Sequence, residues 1–261
     1  MKNLYFIPKI EEIKNYQELS ETYHAGFEYN DFYNPKILEE EEAVRRIIRA
    51  YRETGRDFSQ DTMHGVFYDI CINSSDPKIY AASDFRVRQS MDIAKAMGLK
   101  AVVFHTNYIV NFRLQSYLNT WVNRNEEYWR GILKDYPEQN IYMENMFDDS
   151  PVLLKALADR MKDEERFHVC LDIAHGLISG ASLENWFEVF GDQVSHVHIN
   201  DNDGKEDLHA PVGTGKVDWK CFDQWAKGLK DAPSVLIEVR GISALEKSLS
   251  YMEKENIYPF G

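Results

Sequence analysis

Residues 168–175 read HVCLDIAH, a short run in which apolar and polar side chains alternate. In a β-strand, Cys170 and Asp172 would share one face, whereas Leu171 and Ile173 would point to the other. The second pair would pack against helices, and Asp172 would then point into the interior of a barrel. The run therefore predicts a buried strand that carries a carboxylate at its carboxyl end.

Seven further runs of strand character are spread along the chain. They are LYFIP (4–8), GFEYN (26–30), DFSQDTMHG (57–65), KAVVFHT (100–106), NIYMEN (140–145), VSHVHIND (194–201) and SVLIEV (234–239). Amphipathic helical stretches alternate with them, for example FRVRQSMDIAKAMG at residues 85–98. Eight strand-then-helix units without a break in composition predict a single-domain (β/α)8 TIM barrel over residues 1–261. A doubly wound open sheet is the alternative, which the lack of a GxGxxG motif or a P-loop disfavours.

Composition and charge narrow the class of protein. The 261 residues include 43 acidic and 30 basic side chains, a formal net charge of -13. That charge argues against a chain-wide attraction to nucleic acid or to an anionic membrane. The three cysteines lie far apart without a CxxC pair, so we expect neither a disulfide framework nor a thiolate zinc site. The start MKNLYFIPKIEEIKNY lacks a long apolar run, and we expect a cytoplasmic protein without a membrane segment. Whether the protein forms a homo-oligomer stays open.

Ionisable side chains recur where the predicted strands end, which in a TIM barrel is the face that carries the active site. They are His64, His105, Glu144, Asp172 with His175 just beyond, His198 and Glu238, joined by Asp207 and His209 in the loop after strand seven. Gathering such groups in a water-poor barrel mouth costs on the order of several kcal/mol unless a cation compensates them. Carboxylates with imidazoles suit Zn²⁺, Mn²⁺, Co²⁺ or Fe²⁺, whereas Ca²⁺ prefers oxygen ligands throughout. The pattern predicts a divalent metal site.

The run VSHVHIND contains two histidines that share one face of the predicted strand. Alternation alone does not choose between His196 and His198, because both point inward. Depth does choose, since His196 would lie one layer further into the packed barrel and His198 would reach the mouth. We expect His196 to be a hydrogen-bonded core residue and His198 to be the metal ligand.

Five segments between residues 100 and 240 resemble the xylose-isomerase-like barrel superfamily, which joins sugar isomerases and epimerases with the endonuclease IV type of apurinic-site nuclease. They are VVFHTN, IYMEN, VCLDIAHGLISG, HVHINDNDGKEDLHAPVGTGKVDW and VLIEV. In the sugar-transforming members, a glutamate, an aspartate, a histidine and a second glutamate hold one metal ion. The resemblance places these ligands at Glu144, Asp172, His198 and Glu238, and implies one divalent ion, Mn²⁺, Zn²⁺, Co²⁺ or Mg²⁺.

The same resemblance implies a function and further site residues. The substrate would be a sugar or sugar derivative, isomerised or epimerised by proton transfer next to a carbonyl, with Glu144 and Glu238 as the acid/base pair. The residues expected to contact this small-molecule substrate are His175, His105, His64 and Glu28. Glu28 is included because it lies at the end of predicted strand two, and a structural role is its alternative. The PVGTG stretch (211–215) is interpreted as a turn, and a phosphate-binding loop is its alternative.

The nuclease branch of the superfamily is the second functional hypothesis. Its members use up to three zinc ions, and the further ligand positions correspond to His64, His105, His175, Asp207 and His209. Loops that enter DNA need basic and aromatic side chains, but YIVNFRLQSY after strand four offers only Arg113 as a basic residue. The segment MFDDS after strand five is acidic. We therefore rank a nucleic-acid substrate below a sugar.

Overall fold

The computed structural model describes residues 3–110, 112 and 114–261, so that Arg113 lies outside the described residues. Eight parallel strands form a closed barrel in chain order. They are β1 (Leu4–Phe6), β2 (Gly26–Tyr29), β3 (Thr62–His64), β4 (Ala101–His105), β5 (Asn140–Glu144), β6 (Phe167–Asp172), β7 (Val194–Ile199) and β8 (Ser234–Ile237). The predicted (β/α)8 TIM barrel is confirmed.

Helices alternate with the strands. They are α1 (Ile13–Tyr23), α2 (Pro35–Leu38), α3 (Glu41–Arg52), α4 (Pro77–Met97), α5 (Gln115–Asp135), α6 (Val152–Arg160), α7 (Ile173–Ile178), α8 (Leu183–Phe190), α9 (Trp219–Gly228) and α10 (Ile242–Glu255). Helix α4 begins before the predicted residue 85, because Asp76 accepts a hydrogen bond from the Lys78 backbone N–H at 2.8 Å and Pro77 occupies the first turn. None of the described helices combines the length and the apolar character needed to cross a membrane.

The chain divides into two compact units. The first unit contains Met1–Glu28, Glu144–Pro151 and Val169–Gly261. The second unit contains Tyr29–Met143 and Val152–His168. The prediction that residues 1–261 form a single domain stays a prediction.

In the first unit, the pairing of β6 with β7 sets the level of each inward-pointing side chain. Asp172 lies opposite His198, and Cys170 lies opposite His196 one layer below. A register shift between Val169 and Cys170 produces this alignment, because one extra residue of β7 is accommodated there. The irregularity therefore brings a carboxylate and an imidazole side by side at the end of the two strands.

Each predicted strand extends past the strand in the structure, and in two runs the excess at one end is three residues or more. The run 168–175 stops being a strand at Asp172, whose Oδ1 accepts a hydrogen bond from the His175 backbone N–H at 2.6 Å and starts helix α7. In the run 57–65, the side chain of Asp57 accepts the Ser59 backbone N–H at 2.9 Å and forms a turn, so that β3 begins only at Thr62. In both cases an aspartate competes with the strand for backbone N–H groups.

In the second unit, β3 pairs with β4, and the last residue of each strand is a histidine. His64 lies opposite Val103, and His105 is the last residue of β4. The rings of Phe104 and Trp129 pack with their centroids 5.0 Å apart, and both side chains are buried. This packing anchors β4 against helix α5.

The buried carboxylate of Asp201 holds the loop that follows β7. It accepts hydrogen bonds from the backbone N–H groups of Gly213 (3.0 Å) and Val217 (3.1 Å) and from the Trp219 indole N–H (2.9 Å). A Cβ at Gly215 would lie 2.3 Å from this carboxylate, so only glycine fits there. The PVGTG stretch is therefore a turn in which the N–H of Gly213 donates to the protein's own carboxylate.

We expect Asp201→Ala to lower the free energy of unfolding by roughly 3 kcal/mol, because it leaves several buried N–H groups without an acceptor. Urea denaturation measures the change. Asp203→Ala is the matched control in the same loop, since Asp203 is exposed and accepts two hydrogen bonds from neighbouring backbone N–H groups. Equal destabilisation by the two variants would contradict this role of Asp201.

Candidate metal centre

Four side chains of the first unit form a buried acid and histidine cluster. Glu144 ends β5, Asp172 ends β6, His198 lies in β7, and Glu238 follows β8. Each offers one ligand atom, and these atoms lie within 4.8 Å of one another. Exposure of the four residues is between 0% and 8%, so that water screens their charges poorly.

His198 is the central member of this four-residue cluster. Its Nδ1 atom lies 3.3 Å from Glu144 Oε2 and 3.2 Å from Glu238 Oε2. The backbone N–H of Glu238 donates to the carbonyl of Ile199 at 2.9 Å, which extends the pairing of β8 with β7 by one residue past the end of β8. One ring nitrogen therefore faces two carboxylates that come from different strands.

Asp172 provides the observation that tests whether these residues fit a cation. Its backbone N–H and carbonyl are both bound by the side-chain amide of Asn145, at 2.8 Å and 3.0 Å. Its Oδ1 accepts the His175 N–H, whereas the buried Oδ2 has no hydrogen-bond partner within the described residues. Leaving a buried carboxylate oxygen unpaired is costly, and a metal ion supplies the missing interaction. The donor set of three carboxylates and one imidazole fits a divalent ion.

Burial and mutual charge shift the acid and base strengths of the cluster. Burial raises the pKa of Asp172 to about 7. The pKa of His198 lies well above its usual range, because neighbouring groups including Glu144 outweigh the opposing effect of burial. Binding of a cation must displace the proton of His198, so that metal affinity is expected to rise with pH.

A second group of three side chains adjoins this cluster in the first unit. Asp207 Oδ2 lies 3.5 Å from His175 Nε2 and 3.1 Å from His209 Nε2. His209 Nδ1 contacts the carbonyl oxygen of Glu238 at 3.1 Å, and His175 Nδ1 contacts the carbonyl oxygen of Asn145 at 2.9 Å. His209 therefore contacts the backbone of Glu238, which is a member of the four-residue cluster. His175 contacts the backbone of Asn145, which directly follows the cluster residue Glu144.

The remaining predicted site residues are found in two places. His64 and His105 lie together in the second unit, with their Nε2 atoms 3.1 Å apart, and His64 Nδ1 contacts the Gly65 carbonyl at 2.9 Å. Glu28 lies in β2 of the first unit, where it is fully buried beside His196 and His198. The carboxylate of Glu28 therefore faces the two imidazole rings.

Sequence reasoning missed two asparagines of this region. Asn145 directly follows Glu144 in IYMEN and fixes the backbone of Asp172, a role that the amide's ability to donate and accept at once makes possible. Asn200 is fully buried, and neither atom of its amide has a hydrogen-bond partner within the described residues. Its spacing of two from His198 was the signal that could have drawn attention to it.

The chain is a parallel eight-stranded TIM barrel with a buried cluster of acids and a histidine at its strand ends, a group of side chains that could hold a metal ion. Residues 19–255 match the family of xylose isomerase-like TIM barrels, and the chain belongs to this family.

Solved structures of similar fold include sugar epimerases. A D-tagatose 3-epimerase-like protein is 19% identical, with a TM-score of 0.73 over 97% of this chain and 96% of that chain. The IOLI protein, solved with a zinc atom, is 16% identical, with a TM-score of 0.71 over 97% of both chains. The probable endonuclease 4 of Halorhodospira halophila is 22% identical over 179 residues, or 59% of each chain. At these identities the two structures show a shared fold.

We expect the metal-free protein to lose roughly 2 kcal/mol of stability between pH 6.5 and 9. Although burial opposes it, Asp207 raises the pKa of His209 to about 9. The folded state therefore holds a proton that the unfolded chain releases near pH 6.5, and the stabilisation disappears as pH rises through 9. Thermal unfolding of chelator-treated protein measures the loss, which Asp207→Asn should reduce. Constant or rising stability over this range would contradict the assignment.

Proposed function

We propose that this protein is a divalent-metal-dependent isomerase or epimerase that moves a proton next to the carbonyl of a sugar or sugar derivative. The observation that carries the proposal is the approach of Glu144 and Glu238 to within 3.3 Å and 3.2 Å of the same nitrogen of His198. Two carboxylates at one buried ligand supply an acid/base pair beside a metal site. Membership of the family and the epimerases among the similar structures support the same reaction.

The residues that would hold the ion are Glu144, Asp172, His198 and Glu238. Mn²⁺, Zn²⁺, Co²⁺ and Mg²⁺ all accept carboxylate ligands, and the imidazole favours the first three. A bound divalent ion would polarise a carbonyl oxygen of the substrate and so acidify the neighbouring C–H group. The zinc atom of the IOLI structure supports a metal in a barrel of this kind.

The chain's own residues would carry the proton. In the metal-free protein the charge of His198 outweighs burial and lowers the pKa of Glu238, and the charge of a bound divalent ion would act in the same direction, so that this carboxylate would be ionised at neutral pH, as a base must be. Glu144 would return a proton to the carbon from its own strand end. His175 would bind a substrate hydroxyl, and its ring packs on the half-exposed Phe147 with centroids 5.2 Å apart. Burial of both glutamates keeps bulk water from the reacting carbon.

We expect Glu144→Gln and Glu238→Gln each to slow proton exchange by at least about 100-fold, because each variant removes a group that accepts or returns the proton. Deuterium uptake from solvent into a panel of ketoses measures this step, and circular dichroism confirms that the fold is retained. Glu206→Gln, at an exposed position of the first unit, is the matched control. Full exchange in either active-site variant would contradict the role of that residue.

An apurinic-site nuclease with up to three zinc ions is the second candidate. The specific observation in its favour is the contact of Asp207 with both His175 and His209, which extends the ligand-type side chains beyond the four-residue cluster. The paired His64 and His105 of the second unit are two further side chains of the same type. Several close zinc ions activate water and stabilise a leaving phosphate oxygen.

A metal analysis of the purified protein separates the two candidates. We expect one divalent ion per chain, unchanged in His209→Ala, because the four ligands of the proposed site do not include His209. Duplex DNA with an abasic site should remain intact in the same preparation. Three zinc ions per chain, falling in number in His209→Ala and accompanied by cleavage of that DNA, would contradict the isomerase or epimerase and establish the nuclease.

A further inference from the structure

Glu28 lies between the two histidines of β7 at the bottom of the proposed metal centre. Its Oε2 is 3.3 Å from His196 Nε2, and its Oε1 is 3.2 Å from His198 Nε2. All three side chains are fully buried. Each oxygen of the carboxylate thus faces one imidazole nitrogen, away from solvent.

The partners of the two rings determine which nitrogen carries each proton. A carboxylate accepts hydrogen bonds and donates none, so the Nε2 atoms that face Glu28 are the protonated ones. His196 Nδ1 contacts the Ser234 hydroxyl, whose Oγ lies 2.7 Å away. In His198 the proton on Nε2 is held by Glu28, whereas the proton on Nδ1, which faces Glu144 and Glu238, is the one that a bound cation would displace.

We infer that Glu28 is a positioning residue that holds His198 with its proton on Nε2 and its Nδ1 lone pair directed at the metal. This inference rests on the proposed metal site. Metal-binding histidines commonly donate their second ring N–H to a carboxylate, which fixes the ring and strengthens the ligand. Glu28 therefore acts on the reaction through His198, and contact with the substrate is not required of it.

Ser234 and His196 support Glu28 from the side opposite to His198. The Ser234 hydroxyl also donates to the carbonyl oxygen of Ser195 at 3.2 Å. Ser195 is the β7 residue at which the pairing of β6 and β7 shifts register. His196 Nε2 satisfies the second oxygen of Glu28 and so keeps the carboxylate from rotating away from His198. The core histidine has a function in this arrangement that its burial alone would not suggest.

The test is the affinity of the protein for Zn²⁺, measured by competition with a chromophoric chelator in the absence of any sugar. We expect Glu28→Gln to weaken binding 10- to 100-fold, because an amide can present its NH₂ group to His198 and favour the wrong ring tautomer. Glu28→Asp keeps the charge and should restore part of the affinity. Thermal unfolding of the metal-free variants separates this effect from loss of fold.

His196→Gln is the matched control, since it disturbs the same buried contact without touching the metal ligand. We expect its metal-free unfolding temperature to fall at least as far as that of Glu28→Gln, with a smaller loss of affinity. Wild-type affinity in Glu28→Gln would overturn the inference. So would an equal loss of affinity in His196→Gln, since that would indicate a merely structural role.

Cys170 allows a further discrimination, because its thiol and the two histidines also lie within 4.8 Å of one another. An ion bound there would be held by a different set of ligands from the four-residue cluster. Weaker zinc binding in Cys170→Ala than in Glu28→Gln would therefore overturn the inference, whereas unchanged binding in Cys170→Ala supports it.

Failure of this inference and failure of the proposed reaction are distinguishable. Wild-type zinc affinity in Glu28→Gln, together with proton exchange on a ketose, contradicts only the positioning role. Weakened affinity in Glu28→Gln without exchange on any ketose contradicts only the reaction.

Discussion

The contact between His198 and the carboxylates around it is the interaction on which the candidate site depends. Glu144 and Glu238 face one ring nitrogen and Glu28 faces the other, all within 3.3 Å. Buried carboxylates gathered around one ring repel one another strongly unless protons or a cation lie between them. Protons on the imidazole serve that purpose in the metal-free protein, and in the proposed metal site a divalent ion would replace the proton on Nδ1. Metal binding and pH response would thereby be linked through one side chain.

The barrel supplies the rigid support that this interaction needs. Parallel pairing of β6, β7 and β8 fixes Asp172 and His198 at one level, and the amide of Asn145 holds the Asp172 backbone from the neighbouring loop. The buried Asp201 fixes the loop that brings Asp207 to the site. Ligand atoms mounted on strands and on such clamped loops keep their geometry, which is what a metal site and proton transfer both demand.

The alternating pattern of the sequence was sufficient to predict the barrel and which residues of each strand point inward. Strand periodicity of two is a direct consequence of backbone geometry, and it placed Asp172 and His198 on inward faces. The ends of the elements were less predictable, because Asp57 and Asp172 form local hydrogen bonds that stop a strand. Such competition between side chain and backbone depends on the three-dimensional path of the chain.

The contacts within the site could not be read from the sequence. Glu28 is 168 residues from His196 along the chain, and the pairing between them depends on barrel closure. The register shift that aligns Cys170 with His196 has no signature in the local pattern. The PVGTG turn is similar in composition to phosphate-binding loops, and only the structure shows that the N–H of Gly213 donates to Asp201.

The most direct test of the account is a crystal structure of the protein soaked with Mn²⁺ or Co²⁺, in which anomalous scattering locates the ion. We predict a single strong peak bonded to Glu144, Asp172, Glu238 and the Nδ1 atom of His198. An ion on His196, on the Nε2 atom of His198, or away from the four carboxylate and imidazole ligands would contradict the account.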